Sequence, residues 1–301
     1  MGEITPDRPV FPRIAIVGLG LIGGSIAFAA RRAWPSIYVR AVDREAVLHE
    51  ALSRRAINAG SDDLASVADA DLIVLAAPVR QNLKLLHQVA AHASASAVMT
   101  DVGGTKRTIV AAAAELPAGA TFVGGHPLGG GARGGFEFAT ASLFSRRPWI
   151  FTPQDAGDAA SGAAPPAAVS HAVERLSSCV TGLGAQPTTM SAADHDRLMA
   201  LISHLPQLAA TALMEVVGTT ASASGLRLAG QGLVDTTRLA SSPAGVWRDI
   251  CSTNADEIGE ALDLLIERLS DMRADLQRAE VIDAMFDQAA HWRAELMKGR
   301  D

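Results

Sequence analysis

The sequence of 301 residues is short of aromatics, of cysteine and of basic runs, and each shortage closes off a class of protein. Aromatic residues make up 4%, so the core has to be assembled mostly from Ala, Val, Leu and Ile. Two cysteines, Cys179 and Cys251, cannot form a disulfide framework and lack metal-ligand spacing, which indicates a reducing compartment, the cytoplasm. Acidic residues outnumber basic ones, 32 to 26, and no Lys/Arg-rich run occurs, so neither nucleic acid nor a membrane surface is an expected partner. One uncharged stretch stands out. Ile14 to Ala30 contains the A-x-A triplet Ala27-Phe28-Ala29, as a secretory leader does. Its glycines at 18, 20, 23 and 24, and a length slightly below a membrane span, argue for another use.

What is present is a chain that folds. Hydrophobic residues reach 49% and charged residues 19%, and the length suits two domains. Arg13 to Val17 is a short β-branched run readable as a buried parallel strand. Further strands are expected at Tyr38 to Val42, Leu72 to Ala76, Ala97 to Thr100, Thr121 to Val123, Trp149 to Phe151 and Gln186 to Met190. Helices are expected at Ser25 to Ala33, Val79 to His92, Lys106 to Leu116 and Ala167 to Leu183. Strand and helix alternating over short connections is the pattern of a doubly wound parallel sheet. Residues 155–168, rich in Ala, Gly, Ser and Pro, read as a surface loop. After Ser191 the pattern turns to long helices, with a kink expected at Pro206. Ile258, Leu262, Leu265, Leu269, Met272 and Leu276 form a heptad-like seam, either an intrachain core stripe or a dimer interface. The fold class is therefore α/β: residues 1–190 form the sheet domain and residues 191–301 an all-α domain.

Gly18-Leu19-Gly20-Leu21-Ile22-Gly23 follows the first strand and opens a helix, and Asp43 ends the next strand. In that context G-x-G-x-x-G is a Rossmann dinucleotide site. Gly18 permits the tight turn, Gly20 lets a pyrophosphate approach the backbone, and Gly23 allows close helix–strand packing. Asp43 suits the ribose hydroxyls of NAD, while the neighbouring Arg44 leaves NADP open.

Ligands of such sheets lie beyond the carboxyl ends of the strands, which selects Ala77-Pro78, Asp101 to Lys106 and Gly124 to Gly130. His126 is the candidate base there, set among glycines that leave room for a substrate. His49, His87, His92, His171 and His291 read as surface residues, and no metal-ligand set is found. An anionic substrate needs a cation, and Arg238 and Arg248 in the helical domain are the candidates.

The pieces IAIVGLGLIGGSIA, VDR, ADLIVLAAPV, TDVGGTK, GGHPLGG, HDRLMALISHLPQ and DTTRLASSPAGVWRDI occur in order over residues 13–254. Together they resemble the prephenate/arogenate dehydrogenase family of tyrosine biosynthesis. The resemblance implies a Rossmann domain followed by a helical domain that dimerises, and oxidation of a cyclohexadienol carboxylate by NAD(P) with loss of CO2. It makes His126 the catalytic histidine and Arg238 the carboxylate clamp. It brings Gly104, Thr105 and Gln207 to the substrate, and Ala77, Pro78 and Asp101 to the cofactor beside the glycine motif, Asp43 and Arg44.

Three positions depart from the family pattern. Gly104 stands where Ser is frequent, with the Thr105 hydroxyl nearby; Ala132 replaces a frequent Glu; and Gln207 replaces the His of many prephenate-specific members. The substrate implied is prephenate, with arogenate, a broad cyclohexadienyl range or an amino-substituted analogue as alternatives. A β-hydroxyacid dehydrogenase is disfavoured, because Ser191 to Pro206 contains no lysine. A non-catalytic NAD-binding sensor is the alternative from another class.

Overall fold

β1 (Arg13–Val17) is an inner strand whose side chains alternate between two cores. Ile14 and Ile16 join Trp34, Phe144 and Leu176 on one face, while Ala15 and Val17 join Ile73, Leu86 and Phe122 on the other. Burial on both faces is why the run is apolar throughout. The remaining strands are β2 (Tyr38–Val42), β3 (Ala59–Ser61), β4 (Leu72–Leu75), β5 (Val98–Asp101), β6 (Thr121–Pro127), β7 (Pro148–Pro153) and β8 (Gln186–Thr189). They form one sheet in the order β3-β2-β1-β4-β5-β6-β7-β8. Helices α1 (Leu21–Ala33), α2 (Glu45–Ser53), α3 (Val79–His92), α4 (Arg107–Ala113) and α5 (Ala167–Gly182) alternate with the strands. The doubly wound sheet read from the sequence is thus observed. The computed structural model describes residues 8–131, 133–154, 167–278 and 280–298; Ala132 and residues 155–166 of the expected loop lie outside the described residues.

Two local expectations are corrected. β6 was expected to stop at Val123, but β7 returns antiparallel to it and extends pairing through Pro127, with His126 opposite Ile150. His126 therefore stands on a strand, not on a loop beyond one. β3 was not foreseen, because Ala59-Gly60-Ser61 has neither length nor apolar alternation.

The chain divides into two compact units, Met1–Ala255 and Asp256–Asp301. In the first, α6 (Ala192–Met199) opens with Ser191, whose Oγ accepts the Asp194 N–H at 3.0 Å. A π-turn over Ala200–His204 leads into α7 (Leu205–Leu226). The expected kink at Pro206 is replaced by this widening just before it, since proline has no N–H to offer the turn below. The combined run 192–226 is long and apolar enough, by length and composition, to cross a membrane. α8 (Gln231–Thr236), a 3-10 turn (Arg238–Ser241) and α9 (Ala244–Thr253) follow. In the second unit, α10 (Ala255–Asp275) and α11 (Glu280–Met297) meet at Asp275, whose Oδ2 accepts the Val281 N–H at 2.7 Å. Along the seam Ile258 is buried, Leu262, Leu265 and Met272 are half-buried, and Leu269 and Leu276 are exposed.

Gly23 packs α1 directly on the β1 turn: a Cβ there falls 2.0 Å from the Gly18 carbonyl oxygen, whereas one on Gly20 meets nothing within 4 Å. Gly23→Ala is expected to lower unfolding stability by about 2–3 kcal/mol as an overpacked site. Gly20→Ala is expected to stay within about 0.5 kcal/mol, both read from urea transitions.

Candidate active site

The turn after β1 holds Gly18 at φ +100°, where a Cβ would also strike the Ala77 nitrogen at 2.7 Å. The chain then enters α1 with Gly20 as its N-cap, so the first-turn amides face outward with no side chain over them. At the end of β2, Asp43 Oδ2 accepts the Leu19 N–H at 2.6 Å and Oδ1 accepts the Arg44 N–H at 2.7 Å. These elements border a cleft of about 880 Å³ that also touches Ala77, Pro78 and Phe136. Its lining includes four carboxylates, Asp43, Glu50, Asp62 and Glu137, and Arg44 as its cation. Arg44 itself is 88% exposed. A dinucleotide fits this arrangement: glycines where the pyrophosphate approaches, a carboxylate for the ribose, and an acidic wall that repels an added 2′-phosphate.

A second cavity of about 500 Å³ shares Gly20, Ala76, Ala77, Pro78 and Gly135 with the first and is therefore adjacent to it. Leu21, Ile22, Gly104, Arg133, Ser242, Trp247 and Ile250 also line it. A Cβ placed on Gly104 would lie 3.9 Å from His126 Nε2, so the imidazole sits behind this glycine of the cavity wall, although His126 is not itself among the lining residues.

Behind His126 runs a chain of hydrogen bonds. His126 Nδ1 is 2.9 Å from His195 Nε2, and His195 Nδ1 is 2.8 Å from Asp196 Oδ1. Asp196 is fully buried, and its oxygens also accept the Lys106 N–H at 2.7 Å and the Arg107 N–H at 2.9 Å. Burial pushes its pKa up, but the bond from His195 and the two amides outweigh this and hold it below the usual carboxylate range. An ionised carboxylate only accepts, so His195 carries its hydrogen on Nδ1. Burial holds His195 below its ordinary pKa, so the neutral ring accepts at Nε2. His126 must then donate from Nδ1. Its own pKa is pushed well down by burial and by His195 and Lys106, which favours a neutral ring with its lone pair on Nε2.

Beneath this chain, the buried Lys106 Nζ bonds Asp101 Oδ2 and the Gly125 carbonyl oxygen, the latter at 2.8 Å. Asn254 Nδ2 donates to the Asp196 carbonyl oxygen at 2.9 Å, and Arg107 donates to Asn254 Oδ1 at 2.8 Å.

Several expected site residues take other positions. Asp101 is 1% exposed, its oxygens held by Lys106 and by the Gly103 and Gly125 amides, so it braces the strand ends rather than lining the cofactor cleft. The Thr105 hydroxyl pairs with Thr253 Oγ1 at 2.8 Å and does not stand in for a side chain at Gly104. Gln207 is buried, with its amide on Leu239 and Ser242. Arg238 and Arg248 are exposed and are not among the residues lining the second cavity. His49, His87, His92, His171 and His291 are exposed, as the sequence suggested. His195, Asp196, Lys106 and Asn254 were missed as site residues. The adjacent His-Asp pair was the one available signal for them.

His204 lies buried beside Asn254 and Trp247, its pKa lowered by burial to about 4. With His126 and His195 also lowered, the unfolded chain binds protons below pH 6.5 that the folded chain does not. Stability should therefore fall as pH drops from 6.5 toward 4. The slope should be shallower in His204→Asn, measured by urea midpoints across that window.

Comparison with known proteins closes on the same reading. A family model described as prephenate dehydrogenase, nucleotide-binding domain, matches residues 26–163, and one described as prephenate dehydrogenase, dimerization domain, matches residues 191–288. The chain is 34% identical over 291 residues to a prephenate dehydrogenase of Bacillus subtilis, covering 93% of this chain and 75% of that protein. It is 31% identical over 271 residues to a cyclohexadienyl dehydrogenase of Zymomonas mobilis, covering 88% of each. The crystal structure of prephenate dehydrogenase from A. aeolicus in complex with hydroxyphenyl propionate and NAD+ superposes with a TM-score of 0.84 at 26% identity, covering 94% of this chain and 98% of that one. With the dinucleotide cleft beside an imidazole held as a free base, these matches make the chain a member of the prephenate dehydrogenase family and an NAD-dependent dehydrogenase.

Proposed function

We propose that the enzyme converts prephenate to 4-hydroxyphenylpyruvate, with His126 as the proton acceptor. The observation that carries this is the hydrogen-bond chain from Asp196 through His195 to His126 Nδ1, which leaves His126 Nε2 behind Gly104 of the cavity next to the cofactor cleft. Gly18, Leu19, Gly20 and Asp43 hold the dinucleotide, and Ala77 and Pro78 border it. When bound, the nicotinamide accepts the hydride from the hydroxyl-bearing ring carbon. His126 takes the hydroxyl proton as that carbon becomes a carbonyl. The ring carboxylate then leaves as CO2, and the electrons of its C–C bond pass through the ring to the carbonyl oxygen. That oxygen recovers the proton from His126, and the ring is aromatic. The protein's task is to orient the ring and hold one proton. Arg238, exposed on the turn that leads into the cavity-lining Ser242, is assigned to the side-chain carboxylate.

A broader cyclohexadienyl range is the second reading. The cavity lining includes a carboxylate, Asp249, as well as the guanidinium of Arg133, and a carboxylate suits the ammonium group of arogenate. Initial rates of NAD+ reduction with prephenate and with arogenate separate the two. We also assign substrate binding and dimerisation to the helical domain from residue 191 onward. Leu264, Ile266, Leu269, Phe286 and Trp292 are exposed there, and burial between two copies accounts for such apolar surface. A homodimer in the cytoplasm is the resulting assembly.

Replacing His126 by Asn should lower kcat by about 100- to 10,000-fold, the range of a lost general base. NADH should still bind with unchanged affinity by fluorescence titration. Because the folded environment pushes the His126 pKa well below 6.5, the acid limb of kcat/KM should also lie below pH 6.5. A limb above that value would show that His126 is not the titrating base.

A further inference from the structure

Gln207 stands where a reader of the substrate side chain was expected, yet its amide has no donor left to offer a substrate. It lies on α7 at 4% exposure. Nε2 donates to the Leu239 carbonyl oxygen at 2.7 Å and to Thr211 Oγ1 at 3.2 Å. Oε1 accepts the Ser242 hydroxyl at 3.0 Å. The orientation of the amide is forced, because the Leu239 carbonyl can only accept and so must meet the NH2 side. Thr211 agrees with it: its hydroxyl donates to the Gln207 carbonyl at 2.8 Å, leaving its oxygen lone pairs for Nε2.

The groups so tied are the two ends of one small element. Leu239 belongs to the 3-10 turn Arg238–Ser241, none of whose residues is buried, and Ser242 begins the stretch that lines the second cavity with Pro243, Val246 and Trp247. The turn packs against α7 with Leu239 and Ala240 half-buried, but no side chain of it is buried to anchor it in a core. The Gln207 amide, in the first turn of α7, adds a polar anchor that spans the turn from Leu239 to Ser242.

We propose that Gln207 is a positioning residue that sets the 238–242 turn, and through it Arg238 and the Ser242–Pro243 wall, without itself distinguishing a keto from an amino side chain. The inference rests on the cavity being the substrate site. A direct reader and a positioning residue differ in one measurable way. Loss of a direct reader alters the preference between prephenate and arogenate, whereas loss of a positioning residue weakens both alike.

The test uses the full-length enzyme with Gln207→Glu, which keeps the shape but removes the donor to Leu239. Ser242→Ala cuts the other tie and leaves Gln207 in place. Steady-state kinetics on both substrates and NADH fluorescence titration give the readouts. The expected result is KM raised by about 10-fold for prephenate and arogenate by a common factor, with kcat within about 3-fold, the scale of one unsatisfied buried hydrogen bond. The NADH dissociation constant should not move, and Ser242→Ala should give a smaller rise in the same direction. A changed preference ratio in Gln207→Glu, or an unchanged KM in both variants, overturns the proposal. If Gln207→Glu fails to bind NADH and so has not folded, the common factor is read from Ser242→Ala alone. Arg238→Gln separates the clamp reading from this one. An unchanged KM there removes Arg238 as the carboxylate ligand, while the Gln207 proposal still stands or falls on the common factor.

Discussion

The buried carboxylate of Asp196 holds together parts of the molecule that are far apart in sequence. Its two oxygens accept the backbone amides of Lys106 and Arg107, which are the first unpaired donors of α4. The partial positive charge of that helix end favours the anion and, with the bond from His195, offsets the cost of burying it. The same anion fixes the hydrogen of His195, and His195 fixes that of His126. Asn254, at the end of α9, closes the arrangement by bonding the Asp196 carbonyl and His204. One negative charge thus joins the sheet, α4, α6 and α9 and orients the hydrogens of the two imidazoles, His195 and His126.

A second buried pair, Lys106 and Asp101, stands between that anion and the strands. Two opposite charges with no solvent are costly to bury, and they are tolerated here because every oxygen of Asp101 is hydrogen-bonded. The pair fixes the carboxyl ends of β5 and β6 relative to each other, and β6 carries His126. The positive charge of Lys106 also acts on the imidazole, helping to keep it unprotonated. Positioning and electrostatic tuning therefore come from the same buried groups, none of which faces the cavity.

On the open side, the design is one of omission. Gly20 presents bare amides at the head of α1, and Gly104 puts no side chain between the cavity and His126 Nε2. The acidic lining of the cofactor cleft and the mixed lining of the neighbouring cavity, with Arg133 and Asp249, give the two halves different character. A dinucleotide with a free ribose suits the first, and a small carboxylate-bearing ring suits the second.

The sequence by itself determined the alternation of strands and helices, and it picked out the glycine motif and His126 as candidates. Each of these is a local property: a run of β-branched residues, a glycine where φ must be positive, a histidine at a strand end among glycines. It could not reveal that β6 continues through His126, because that extension depends on β7 pairing antiparallel with it. Nor could it place Asp101, Thr105 and Gln207, polar residues whose partners were unknown until the chain closed on itself. Tertiary structure alone decided the tautomer of His126, because the bonds that set it link residues 69 and 90 positions apart. Hydrogen bonds over such separations leave no periodicity in a sequence; they exist only where packing brings donor and acceptor within 3 Å.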